Sequence, residues 1–184
     1  MKVTIFSYGS NMSHQRIRAR VPSARFLRAG YLTHHTLRWH KLSKDGSGKC
    51  DAFETGVFTD VVWGGLFRIT ADEKHLLDSA EGLGTGYQEK RVEVSCIHDE
   101  ADQHKTQTNL QKTTQATLYT AIPINHLVKP YSWYKNFVVS GARQCGLPAP
   151  YVAALDAVET AEDPNKKRCS MNEAILRDAW NSDA

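Results

Sequence analysis

Two short stretches of this 184-residue sequence hold residues whose types and spacing could do chemistry. The first is Tyr8-Gly9-Ser10-Asn11-Met12, which ends a run of β-forming residues from Val3 with residues that favour turns and helix caps. Backbone N–H groups freed at such a strand-to-helix turn can receive a carboxylate or a carbonyl oxygen. Ser10 lacks the G-x-S-x-G surround of a hydrolase nucleophile, so the loop reads as a receiver of anions rather than as an attacker. The second is Glu81, followed by Gly82, Gly84 and Gly86. A carboxylate at the carboxyl end of a helix sits beside the negative pole of the helix dipole and gains nothing there, a misplacement that points to use. Taken singly, an ordinary capped turn and a solvated surface glutamate are the simpler explanations, and neither feature decides anything alone.

Other chemistries find little support. Neither G-x-x-x-x-G-K nor G-x-G-x-x-G follows a strand, and Gly84-Thr85-Gly86 follows a helix and precedes a strand, the reverse of the nucleotide-binding order. There is no H-E-x-x-H, and adjacent His34 and His35 would point to opposite faces of a strand. Cys50, Cys96, Cys145 and Cys169 are scattered singly, so neither a zinc ribbon nor a disulfide framework is expected. We expect no metal and no cofactor.

The elements that must position the two stretches follow from periodicity. Val3 to Tyr8 reads as a strand and Ser13 to Arg20 as a short helix stopped by Val21-Pro22. Residues 25 to 42 place Tyr31, Leu37 and Trp39 on one parity and His34, Arg38 and His40 on the other, as in a half-buried long strand or hairpin. After a loop at Lys44 to Lys49, Ala52 to Val57 and Val61 to Ile69 read as strands. Thr70-Ala71-Asp72-Glu73 has the form of a capping box for a helix from about Ala71, with Leu76, Leu77 and Ala80 as its apolar side. The glycines after Glu81 end it. Tyr87 to Ile97 alternates clearly, with Val92, Val94 and Cys96 inward. A polar loop from His98 to Thr113 joins it to a returning strand at Ala116 to Ile122. Tyr131, Tyr134, Val138, Gly141 and Cys145 share one helical face, and Tyr151, Ala154, Leu155 and Val158 continue the stripe on a second helix entered at Pro148 and Pro150. Near-sequential strands followed by helices give an α+β fold with a mostly antiparallel sheet.

The tail from 164 to 184 reads as a charged linker and a last helix. Ser170 and Glu173 form its capping box, and Met171, Ile175, Leu176 and Trp180 its apolar side. Residues 1 to 163 then form one domain, as the length suggests. Apolar residues make up 41% and charged ones 23%, enough for a core and far from the disordered range. The net charge of +3 names no partner, no apolar run is long enough to span a bilayer, and no secretory signal opens the chain, so a cytoplasmic location is expected.

Four short strings together resemble the γ-glutamylcyclotransferase family. They are Tyr8-Gly9-Ser10-Asn11 after the first strand, Glu81-Gly82 at a helix end, Tyr87 beyond it, and Tyr134-Lys135 leading into Gly141-Ala142-Arg143 and Gly146-Leu147-Pro148. The resemblance covers about residues 3 to 160. It implies a small mixed, mostly antiparallel β-barrel or curved sheet flanked by helices, with a pocket between the Tyr8 loop and Glu81.

It also implies a reaction: the α-amine of a γ-glutamyl compound attacks its own γ-carbonyl, an amine departs and 5-oxoproline remains. Glu81 would be the general acid and base, lodged away from water, where burial favours the neutral, proton-carrying form of a carboxyl. Gly9, Ser10 and Asn11, with Tyr8 and Met12, would bind either the γ-carbonyl oxygen or the α-carboxylate, and Tyr87 and Tyr134 would line the pocket with rings and hydroxyl donors. The departing amine is left open among an amino acid, a lysine-derived amine and a biosynthetic intermediate. The implied partner is a small γ-glutamyl substrate, with neither nucleic acid nor membrane, and the tail helix offers an apolar face for a homodimer. The alternatives are a non-catalytic γ-glutamyl-binding relative, or a nucleic-acid-binding module using a basic strip of Arg16, Arg18, Arg20, Arg25 and Arg28.

Overall fold

In the computed structural model, residues 1–96 and 112–182 are described, with side chains of the last helix through Arg177. Most of the expected polar loop, and the strand end at Ile97, lie outside the described residues.

Five strands close a barrel in the order β1 (Lys2–Ser7), β5 (Val61–Thr70), β2 (Arg25–Thr33), β6 (Tyr87–Cys96) and β7 (Thr113–Ala121). All neighbours are antiparallel except β7 and β1, which meet in parallel at Ile5 and Thr117 and complete the ring. The expected α+β barrel flanked by helices is therefore present. Its strands are packed on both faces: the consecutive pairs Ile5 and Phe6, and Leu66 and Phe67, are all essentially inaccessible, as are Ile69, Val94 and Leu118. On β6 the alternation is as read, with Val92, Val94 and Cys96 buried and Glu89, Arg91 and Glu93 exposed.

Residues 25 to 42 are neither one strand nor a hairpin. The chain breaks at His34, which adopts φ 62°, and β2 stays in the barrel while β3 (His35–Leu42) pairs with β4 (Gly48–Glu54) as a separate two-stranded sheet. That small sheet covers one end of the barrel wall. His40, expected on the polar parity, is instead buried on it, with Nε2 2.8 Å from Asp51, whose other carboxylate oxygen accepts the Ala121 N–H at 2.8 Å. The link ties β4 to the end of β7.

The helices are α1 (His14–Arg20), α2 (Lys74–Glu81), α3 (Ser132–Gln144), α4 (Ala149–Asp156) and α5 (Lys166–Ser182). The Thr70–Glu73 capping box does not form. Residues Ala71–Glu73 make a 3₁₀ turn, Glu73 accepts the N–H of Ser23 at 2.8 Å, and the Thr70 hydroxyl bonds Ser23 Oγ, so a neighbouring loop has taken both capping groups. Of the expected apolar side of α2, Leu77 alone is fully buried, while Leu76 and Ala80 face outward. In α4 the buried residues are Val152 and Leu155, with Ala154 exposed.

Helix α5 starts four residues before the expected Ser170 cap. Asp163, Asn165 and Arg168 explain the shift: Asn165 Oδ1 accepts the Arg168 N–H at 3.0 Å, and Asp163 receives the Asn165 N–H and both guanidinium arms of Arg168. Asp163 also accepts from Trp133 Nε1 at 2.8 Å, anchoring the start of the tail to α3. No helix among the described residues is long and apolar enough to cross a membrane.

Candidate active site

Strand β1 delivers the chain at Ser7 to the open end of the barrel, where a 3₁₀ turn, Ser10–Met12, precedes α1. Here the N–H groups of Gly9, Ser10 and Asn11 find no acceptor among the described residues, while those of Met12 and Ser13 bond back to Gly9 and Ser10. Helix α3 fixes the turn from behind. A side-chain carbon on Gly141 would lie 2.3 Å from Ser13 N and 2.5 Å from the Met12 carbonyl carbon, so only glycine permits this approach. Met12, expected among the binding residues, is buried against α3 and does not line the cleft. With three residues per turn, a 3₁₀ helix that aims Ser10 and Asn11 at the cleft must aim the next residue elsewhere.

Across the cleft, α2 ends at Glu81. Gly82 closes it in the left-handed conformation (φ 65°), where Gly82 N bonds Ser79 O at 3.1 Å and Leu83 N bonds Asp78 O at 2.9 Å. The carboxylate and the loop touch directly: Asn11 Nδ2 donates to Glu81 Oε1 at 2.7 Å. Arg20, at the end of α1, donates to the same Oε1 at 3.0 Å and to Asn11 Oδ1 at 2.8 Å. Asn11 and Arg20 thus lock one carboxylate oxygen, and Oε2 has no hydrogen-bond partner among the described residues. Glu81, expected away from water, is largely withdrawn from it but in polar company. Its side chain is 14% exposed and its neighbours are an amide and a guanidinium 24% exposed.

The cleft between them holds about 380 Å³ of empty space including its mouth, and is lined by Tyr8, Gly9, Ser10, Asn11, Glu81, Tyr87 and Tyr134, with Cys50 and Tyr119 among the rest. The tyrosines are walls more than free donors. Tyr8 donates to the Tyr119 carbonyl and Tyr87 to the Cys50 carbonyl at 2.8 Å, while Tyr134 accepts the Cys50 N–H at 3.1 Å. Burial first, then neighbouring negative charge, holds the phenols of Tyr8, Tyr87 and Tyr134 well above their ordinary range, so they remain protonated. Burial also pushes the Cys50 thiol up to about 12, which disqualifies it as a nucleophile at neutral pH. Behind Tyr134, Lys49 is boxed by Tyr134 and Trp133 at 4.5 and 4.6 Å, and its ammonium bonds Asp45 and Ser47. Burial lowers its pKa to about 8.

The arginines do not make one outward strip. Arg16 turns inward, with Nε on Ser10 Oγ at 3.1 Å and its guanidinium 4.4 Å from the Phe137 ring, and burial lowers it to about 10. Arg20 belongs to the Glu81 cluster, and Arg25 folds back onto the carbonyls of Pro22 and Ala24. Sequence reasoning missed Arg20, Cys50 and Tyr119. The basic run was the one available signal for Arg20, and it pointed outward. Among the described residues, no group of three or more His, Cys, Asp or Glu side chains could hold a metal ion.

Residues 61–155, just over half of the sequence, match the AIG2-like family. The chain belongs to that family. The matched stretch takes in β5, α2 with Glu81, the paired strands β6 and β7, and the α3 helix that backs the loop. The chain is 27% identical over 176 residues to the γ-glutamylcyclotransferase of Bos taurus, covering 92% of this sequence and 84% of the relative. It is 28% identical over 176 residues to the γ-glutamylcyclotransferase of Mus musculus, covering 94% and 87%. A solved structure of a γ-glutamyl cyclotransferase shares the fold with a TM-score of 0.77 at 23% identity, over 97% of this chain and 99% of that one. The shared fold therefore extends beyond the matched segment to include β1 and the Tyr8 loop.

Proposed function

We propose that this protein is a γ-glutamylcyclotransferase: it cyclises a γ-glutamyl compound to 5-oxoproline and releases an amine. One observation carries the reading. A half-buried carboxylate with one oxygen fixed and the other open faces a turn whose N–H groups are unpaired among the described residues, across a narrow tyrosine-walled cleft. The likeness over most of the chain to proteins named γ-glutamylcyclotransferase supports it.

The chemistry fits so spare a site. Amine and carbonyl belong to one molecule, so holding the glutamyl chain bent supplies much of the rate, and intramolecular positioning can contribute roughly 7–11 kcal/mol. The tyrosine walls do that. Glu81 Oε2 takes a proton from the α-ammonium, and the freed amine forms the new C–N bond at the γ-carbon. The carbonyl oxygen, negative as the tetrahedral centre forms, is met by the N–H groups of Gly9, Ser10 and Asn11. When the old C–N bond breaks, Glu81 returns a proton to the departing nitrogen. One proton stays on the lactam nitrogen, and the amine leaves with those the ring nitrogen has shed.

The test is a panel of γ-glutamyl compounds incubated with purified protein and assayed for 5-oxoproline. Turnover of at least one compound, with stoichiometric amine, is expected. Binding without turnover across the panel would favour a non-catalytic relative and overturn the proposal.

A further inference from the structure

The serine of the active-site turn is held from behind by a cation with no counter-charge. Arg16, half-buried on α1, pairs with no carboxylate among the described residues. Its guanidinium lies 4.4 Å from the ring of Phe137 and 6.0 Å from that of Trp133, and it donates to two neutral oxygens. Nε reaches Ser10 Oγ at 3.1 Å and Nη1 reaches Asn172 Oδ1 at 3.3 Å. Asn172 belongs to α5, beyond residues 61–155 that match the family. Its own helix orients it: Nδ2 donates to the Arg168 carbonyl at 2.8 Å, which leaves Oδ1 to Arg16. Arg168 is clamped by Asp163, and Asp163 is tied to Trp133 on α3. A polar chain thus runs from the start of the tail to the turn.

A guanidinium can only donate, so Ser10 Oγ accepts at that contact and its single hydroxyl proton is left to point elsewhere. That proton meets no acceptor among the described residues, and Ser10 lines the cleft beside the unpaired N–H groups of the turn. Accepting from a cation also strengthens the hydroxyl as a donor, because successive hydrogen bonds polarise one another. Without that contact the side chain would be free to choose among its staggered rotamers. We propose that the Ser10 hydroxyl is a further donor to the substrate oxygen that becomes negative, and that Arg16 and, through it, Asn172 of the tail helix are positioning residues for that donor. The inference rests on the cyclotransferase reading and makes α5 part of the apparatus that carries it out. The fork of arginine is what the arrangement requires, since one planar group must serve oxygens on two different helical segments.

The experiment is a double-mutant cycle on 5-oxoproline release, with the γ-glutamyl compound that the wild type turns over fastest. Ser10→Ala keeps every backbone N–H of the turn and should lower kcat by about 10²-fold, as for one lost oxyanion donor, with KM little changed. Asn172→Leu should lower kcat by about tenfold on its own and cause no further loss when Ser10→Ala is already present, a coupling that a merely structural role lacks. Asn172→Asp keeps an acceptor for Arg16 and should stay within about threefold of the wild type. The proposal is overturned if Ser10→Ala or Asn172→Leu leaves kcat unchanged. It is equally overturned if Asn172→Leu costs the same factor with and without the Ser10 hydroxyl, which would place its effect on the fold. Asn172→Ala is read identically should the leucine variant not fold. A working wild type with insensitive or additive variants brings down this inference alone, whereas a wild type that releases 5-oxoproline from no γ-glutamyl compound brings down the cyclotransferase reading and the inference with it.

Discussion

Replacing Glu81 by glutamine is the sharpest perturbation the geometry allows. The amide oxygen of glutamine can take the place of Oε1 and keep the bonds from Asn11 and Arg20, now 2.7 and 3.0 Å long. The NH₂ group then falls where Oε2 was, at the position that has no partner to lose among the described residues. What disappears is the negative charge and the capacity to accept a proton. Arg20 loses its ion pair, but at 24% exposure it stays within reach of water, so the cost to folding is about 1 kcal/mol, as for an exposed pair. Catalysis should suffer far more: a lost general base costs about 10²- to 10⁴-fold, or roughly 3–5 kcal/mol of barrier. The assay is 5-oxoproline formation with saturating substrate, alongside calorimetric binding of 5-oxoproline. Turnover is expected to fall by that factor, with product affinity within about threefold and the melting temperature lowered by a few degrees. A variant that turns over within fivefold of the wild type would refute the role of Glu81, because no other described carboxylate lines the cleft.

Two further perturbations probe the supports. Gly141→Ala places a carbon 2.3 Å from Ser13 N, and backbone on both sides must yield, so stability should drop by about 1–3 kcal/mol. The displaced turn should lower kcat/KM by about 10²-fold, and unchanged denaturation and kinetics would mean that α3 does not hold the loop. Lys49 supplies a pH test. Its folded pKa of about 8 lies below the ordinary lysine value, so between about pH 8 and 10.5 the unfolded chain binds more protons and stability rises with pH. The urea midpoint of the wild type relative to Lys49→Met should therefore climb across that window. A constant difference between the two would show that the buried ammonium titrates normally.

Local features were readable in the sequence and long-range ones opaque. The end of α2 was legible because Gly82 alone can take the left-handed cap there, and β6 because its inward valines alternate with charges. The capping boxes at Thr70 and Ser170 failed for the same reason as each other. A capping box is a contest for two hydrogen-bonding groups, and Ser23 in one case and Asp163 with Asn165 in the other entered that contest from outside the local window. Tyr87 shares the parity of exposed Glu89 and is nevertheless buried, because the β3–β4 sheet lies over it, with Lys41 on its ring and the Cys50 carbonyl on its hydroxyl. Nothing in the strand itself could say so. Arg20 joins Glu81 across 61 residues, and only the folding of α1 beside α2 brings the pair together.

That last contact also orders the catalytic contributions. A carboxylate held at one oxygen by Asn11 and Arg20 keeps the other open, and under the proposed mechanism that oxygen serves whichever proton is brought to it. Bringing the proton there is the work of shape: the Gly141 contact that seats the turn, and the Tyr8, Tyr87 and Tyr134 rings whose hydroxyls are tied to protein atoms and whose faces are left to bend the ligand. Positioning is worth roughly 7–11 kcal/mol in such intramolecular reactions and proton transfer roughly 3–5. A site organised this way should keep measurable cyclisation when Glu81 is neutralised. It should lose more only when the turn and the carboxylate are fully separated, well beyond the shift that Gly141→Ala imposes, because the bent ligand is then no longer held and the general base is separated from the ammonium it must deprotonate.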